Sequence, residues 1–162
     1  MAQGRPKPRR VVSLRERAIA LLARREYGRA ELRARLLAGR GRGEDAHERN
    51  AAAVDATLDE LAALGLLSDE RYANALVARK AGSYSRRAIV ESLKTQGVSG
   101  ATIDSALAGH ELDDEAAMRA LWERRFGHAP ADERNKARQV RFLQSRGFAL
   151  SAILRLLRSV GA

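Results

Sequence analysis

Leu93-Lys94-Thr95-Gln96-Gly97-Val98 and Leu143-Gln144-Ser145-Arg146-Gly147-Phe148 are the two stretches whose reading decides the fold. Counted from its glycine, each has apolar residues at −4 and +1, and each continues with apolar residues at +6 and +10: Ile103 and Leu107 in one case, Ile153 and Leu157 in the other. A leucine one turn before a glycine, an apolar residue just after it and two more at helical spacing describe two helices joined by a tight turn. The same arrangement occurring twice marks an internal repeat.

Upstream of the first stretch stands Tyr84-Ser85-Arg86-Arg87-Ala88-Ile89, which resembles Tyr27-Gly28-Arg29-Ala30-Glu31-Leu32, with Leu36 placed as Leu93 is. That gives three copies, the first carrying an insertion from Arg40 to Asn50. Ala, Leu, Arg and Glu dominate the chain, and β-branched and aromatic residues never alternate over a strand's length, so every element reads as helix.

Ser13-Leu14-Arg15-Glu16 forms a capping box before Leu14, Ala18, Leu21 and Leu22, and that helix is expected to end near Tyr27-Gly28. Helices follow over about 29–38, 51–64 (Val54, Leu58, Leu61 and Leu64 inward), from Ser68-Asp69-Glu70 (Tyr72, Leu76, Val77), from Ser85 (Ile89, Val90, Leu93) and from Ser99. The last three start at Asp113 or Asp114 (Met118, Leu121, Trp122, Phe126), run over 132–146, and run over 150–160.

The expectation is nine helices in an all-α chain of three tandem three-helix, helix-turn-helix-like repeats stacked into an elongated curved body. Residues 1–12 read as a disordered basic arm, 13–67 as the first repeat with a 39–50 loop, 68–109 as the second and 110–162 as the third. Tyr27, Tyr72 and Tyr84 sit at helix ends, where partial exposure is expected.

The 162 residues carry 30 Lys plus Arg against 20 Asp plus Glu, a net charge of +10. Residues 1–43 hold 13 basic and 3 acidic groups, so the whole excess sits in the first quarter. Beyond it the sign alternates: −7 over 44–70, +5 over 71–100, −5 over 101–133 and +7 over 134–162. Blocks of both signs suit a charged, patterned partner better than uniform coating of DNA.

Zero cysteines remove disulfides, thiolate zinc sites and cysteine nucleophiles, and favour an intracellular setting. No apolar run approaches the roughly 18 residues of a membrane span, and the N-terminus lacks the apolar stretch of a secretory signal. Glu44-Asp45 and Asp113-Asp114-Glu115 sit where loops and helix starts ordinarily carry acid, and His47, His110 and His128 have no ligand-spaced partners, so neither a metal nor a catalytic site is expected. Gly39 to Gly43 lacks the ending of a phosphate-cradling loop, and no cofactor is expected.

The recurring cations lie on each repeat's second helix: Arg29, Arg33 and Arg35, then Arg86, Arg87 and Lys94, then Arg138, Arg141 and Arg146. All of these except Arg35 are taken as the candidate contacts to an elongated partner or to DNA.

With Tyr27-x4-Leu32-x3-Leu36, Leu61-x2-Leu64-Gly65-Leu66-Leu67-Ser68-Asp69-Glu70-Arg71-Tyr72-Ala73, Gly97-Val98-Ser99 with Ile103, and Arg146-Gly147-Phe148 with Ile153, the chain resembles the RecX family from Ser13 to Val160. The central ten residues from Leu64 are the most specific part, while the 39–50 loop is longer than the family usually carries. The resemblance implies a cytoplasmic, monomeric, non-enzymatic protein. Its partner would be the RecA recombinase filament, along whose groove it binds, inhibiting ATPase, co-protease and strand-exchange activities and so acting on DNA repair, recombination and the SOS response. Direct contact with single- or double-stranded DNA is part of that picture, and contact with a membrane is not.

The alternative reading is a nonspecific DNA- or RNA-binding protein of helix-turn-helix repeats. The 99–107 helix offers little besides Thr102 and Asp104 that suits base edges, which argues against sequence-specific readout.

Overall fold

Ser13 opens the first helix with the expected capping box: its Oγ accepts the Glu16 N–H at 3.1 Å, and the Glu16 carboxylate accepts the Ser13 N–H at 2.9 Å. Two otherwise unpaired donors of the helix start are thereby satisfied. In the computed structural model, which describes residues 12–38 and 50–161, nine helices follow in order. They are α1 (Leu14–Leu22), α2 (Arg29–Ala38), α3 (Ala51–Ala63), α4 (Asp69–Lys80), α5 (Arg86–Thr95), α6 (Gly100–Ala108), α7 (Asp114–Arg125), α8 (Glu133–Ser145) and α9 (Leu150–Val160). Among the described residues there is no strand. Asn50, Ser85, Ser99, Asp113 and Asp132 cap their helices through side-chain oxygens, whereas Ala149 before α9 supplies none.

Each group of three helices closes on its own core. Leu14, Ala18, Tyr27, Leu32, Leu36, Val54, Leu58, Leu61 and Leu67 fill the first. Tyr72, Leu76, Val77, Ile89, Leu93, Val98, Ile103 and Leu107 are among the residues of the second, and Met118, Leu121, Trp122, Leu143, Phe148, Ile153, Leu156 and Leu157 make the third. The chain divides into two compact units, residues 1–68 and 69–162, so the second and third cores share a unit.

The repeat read from the sequence has one physical cause in both copies. Gly97 and Gly147 take φ +74° and +89°, the left-handed region open to glycine. The Gly97 N–H then donates to the Lys94 carbonyl at 2.9 Å and the Val98 N–H to Leu93 at 3.1 Å. Gly147 does the same to Gln144 at 2.9 Å, and Phe148 to Leu143 at 3.3 Å. These are the paired 5→2 and 6→1 bonds of a Schellman turn, and the apolar residues at −4 and +1 are the contact that accompanies it. Leu93, Val98, Leu143 and Phe148 are all buried.

Three expectations need correction. Helix α1 stops at Leu22, well before Tyr27, because the chain leaves the helix to turn Tyr27 into the first core. Tyr27 and Tyr72 are each only 4% exposed, and Tyr84 alone of the three tyrosines is half-buried. Leu64 is exposed and Leu67 is buried in its place, since the reversal at Gly65 folds Leu66 and Leu67 back so that both their N–H groups reach the Leu61 carbonyl. The expected arm over 1–12 lies, except for Val12, outside the described residues, as does the 39–50 loop apart from Asn50.

Candidate functional site

In the first unit the cations of α2 meet the acids of α3. Arg33 grips Asp55 with two hydrogen bonds, Nε to Oδ1 at 2.7 Å and Nη2 to Oδ2 at 3.1 Å, and Arg29 pairs with Asp59 at 2.8 Å. Arg25 and Arg35 share Glu31 at 2.5 and 3.3 Å, and Arg15 pairs with Glu60 at 3.0 Å. Both hydrogen bonds and proximity to Arg33 hold the Asp55 carboxyl below its ordinary range and push Arg33 up. Burial drives Glu31 upward, but the Arg25 and Arg35 guanidiniums outweigh it and the carboxyl ends below its ordinary range. The sequence signal was there in outline: Asp55 and Asp59 stand one turn apart, and so do Arg29 and Arg33.

The second unit is built otherwise. Among its described residues Lys136 lies 3.4 Å from Glu133. Arg87 and Lys94 on α5 and Arg134, Arg138 and Arg141 on α8 are exposed and meet no carboxylate. On α8 the last three recur at i, i+4 and i+7, a single stripe along one side of the helix. On α5 the equivalent line runs Arg87, Glu91, Lys94, with one acid inside it. Arg86 is exposed, and its backbone N–H donates to Asp114 Oδ1 at 2.7 Å. Thus, among the described residues, Arg15, Arg25, Arg29, Arg33 and Arg35 of the first unit each meet a carboxylate, whereas Arg87, Lys94, Arg134, Arg138 and Arg141 of the second meet none.

Arg146 differs from the other seven candidates. Its Nη1 donates to the Tyr84 hydroxyl, its guanidinium lies 4.8 Å from the Tyr84 ring centre and 5.3 Å from that of Phe142, and its Nε is buried without an acceptor. It therefore lies at the junction of the second and third cores. The same contacts extend into a run of alternating cations and rings: Lys80 and Arg146 on Tyr84, Arg146 and Arg125 on Phe142, Arg125 and Arg138 on Phe126. All lie within the roughly 6 Å over which a ring's negative face attracts a cation. Sequence reading missed Lys80, Arg125 and the three rings. The aligned tyrosines were the available signal, because Tyr27 carries Arg25 at 3.8 Å and Arg35 at 5.4 Å just as Tyr84 carries its two cations.

His110 and His128 each place Nδ1 against a backbone oxygen, of Ala106 and Phe126 respectively. Among the described residues no three acidic or histidine side chains gather as a metal site would need, and no helix is long and apolar enough to cross a membrane.

Residues 68–107 match the family model for the second three-helix domain of RecX, and residues 113–157 match that for the third. The chain is similar to the regulatory protein RecX of Ralstonia pickettii, with 38% identity over 94% of this chain and 91% of the relative. To that of Chromobacterium violaceum it is 43% identical, over 90% and 89%. A crystal structure of RecX from Lactobacillus salivarius superposes with a TM-score of 0.57 over 91% of this chain and 94% of the other, at 16% identity, a likeness of fold.

Proposed function

Because this chain belongs to the RecX family of regulatory proteins, we propose that it is a negative modulator of the RecA recombinase. It binds along the RecA–DNA filament in the cytoplasm and, as a monomer without catalysis of its own, inhibits the filament's ATPase, co-protease and strand-exchange activities. The observation that carries the reading is the distribution of uncompensated charge. Where the first unit pairs Arg29 and Arg33 with Asp59 and Asp55, the second leaves Arg87, Lys94, Arg138 and Arg141 exposed without a carboxylate. Gathering cations without counter-charges opposes compactness, and an anionic partner relieves that repulsion on binding. A filament of repeating subunits on phosphodiester DNA supplies anions at many points, so contacts that are weak singly add to firm binding.

The test is ATP hydrolysis by preformed RecA filaments while this protein is titrated in. Progressive inhibition at stoichiometric concentrations is expected, and none would refute the reading. The same stripe of arginines also suits phosphates alone, which keeps a nonspecific nucleic-acid binder as the second reading. Filter binding to bare single- and double-stranded DNA across a salt series separates the two, since that reading requires bare-DNA affinity to account for every effect.

A further inference from the structure

The N-terminus of α5, the second helix of the second repeat, meets the turn that ends α8, the second helix of the third. Just past the C-terminus of α8, the carbonyls of its C-cap Arg146 and of the turn residue Gly147 are left without a partner inside the helix. The Ser85 N–H donates to the first at 3.0 Å and the Ser85 hydroxyl to the second at 2.8 Å, while the same hydroxyl accepts the Ala88 N–H at 3.2 Å to cap α5. The negative end of one helix thus faces the positive end of another.

Ser85 is 1% exposed. A Cβ built on Gly147 would lie 2.6 Å from both the Ala88 Cβ and the Ser85 Oγ, so the approach needs glycine for space as well as for φ. Two further bonds flank the contact, from Arg86 N–H to Asp114 and from Arg124 to the Gly82 carbonyl at 3.0 Å. Arg146 closes it from the side, its guanidinium 4.8 Å from the Tyr84 ring centre and 5.3 Å from that of Phe142.

We propose that Arg146 is a positioning residue: with Tyr84, Ser85 and Gly147 it forms a joint that holds the α5 cations Arg87 and Lys94 at a set spacing from the α8 cations Arg138 and Arg141, without touching the partner itself. Cation sets held at one spacing engage a periodic partner together, whereas sets on a loose hinge lose part of their effective concentration for each other. The role rests on the filament-binding reading; the joint itself does not.

The absence of cysteine makes the joint directly measurable. Spin labels at Ser105→Cys on α6 and Ser151→Cys on α9, both exposed positions, report the distance across it in the full-length protein. Wild type should give one narrow distance distribution. Arg146→Ala, Ser85→Ala and Gly147→Ala should each broaden it and weaken inhibition of RecA ATPase by about tenfold, a small part of the 10²–10⁴ that joint engagement of linked sites is worth. Far-UV circular dichroism and Trp122 fluorescence identify any variant that has lost its helices, and Ser85→Ala, the mildest change, keeps the test open if the others unfold.

Gly147→Ala alters no charge, so a matching loss of inhibition there identifies positioning. A distribution that stays narrow in all three variants overturns the joint. Lost inhibition by Arg146→Ala with a narrow distribution makes Arg146 a direct contact, and a broad distribution with full inhibition shows that spacing does not matter; either overturns the role. A wild type that never inhibits RecA removes the reading on which the role rests, while the distances still decide the joint.

Discussion

Trp122 donates its indole N–H to Oε1 of Gln139 at 2.7 Å, a hydrogen bond between two side chains buried in the third core. Gln139 is 1% exposed, and its Nε2 reaches the His128 carbonyl at 3.4 Å, so the amide ties α7, the 126–132 turn and α8 together. Gln139 stands four residues before Leu143, so helical spacing puts it on the core face although its polarity alone would leave it in water.

Replacing Gln139 with leucine should therefore destabilise the second unit despite adding apolar surface. The Trp122 N–H would be left unsatisfied at a cost of about 1–3 kcal/mol. Urea unfolding followed by the single tryptophan should show a lower midpoint with unchanged slope; an unchanged midpoint would show the bond to be energetically silent.

Gly147→Ala should cost more than Gly65→Ala. Both residues have positive φ, but a Cβ on Gly65 meets nothing within 4 Å, whereas on Gly147 it meets two atoms at 2.6 Å. Gly65→Ala should lose about 1–2 kcal/mol for the left-handed backbone alone. Gly147→Ala adds overpacking of about 1–3 kcal/mol. Thermal melts give the order, and equal losses would contradict the packing account.

The first unit should weaken in acid through Glu31 and Asp55. Both carboxyls titrate below their ordinary range when folded, so the stabilisation they provide is complete above the unfolded value of about 4 and is lost as pH falls through the lower folded values. Asp55→Asn and Glu31→Gln should each flatten the pH dependence of melting between roughly pH 5 and 2. Retention of the full wild-type slope in the double variant would exclude these two groups as its source.

Reversing charge at Arg87, Lys94, Arg138 and Arg141 together should raise the concentration needed for half-inhibition of RecA ATPase by about tenfold or more, since paired charges across an interface are mutually reinforcing. Arg29→Glu with Arg33→Glu should leave inhibition within about twofold, because those arginines face Asp59 and Asp55, and exposed pairs are worth at most about 1 kcal/mol. The opposite ranking would move the contact surface to the first unit.

Much of the fold was legible in the residues, because helix ends and cores are local matters. Ser13, Ser85, Ser99 and Asp132 cap through their own oxygens, and the offsets around Gly97 and Gly147 are the geometry of a Schellman turn written as spacing. Leu64 and Tyr27 were misread because a turn decides which way the next side chain faces, and periodicity does not continue through a turn.

By itself, the sequence determined that the chain is all helical, that its helices come in threes, and which family it resembles. Those properties follow from short-range spacing, from the helical repeat and from the capping and turn chemistry of single residues. Only the tertiary structure decided which cations remain uncompensated. Arg33 and Arg138 look alike in sequence, yet Arg33 is held by Asp55 from another helix and Arg138 meets a ring and no carboxylate. Likewise Arg146 reads as one more surface charge until Tyr84, 62 positions away, closes over it. Charge compensation acts through space over a few ångströms, and the chain order does not encode which distant residue arrives within that distance.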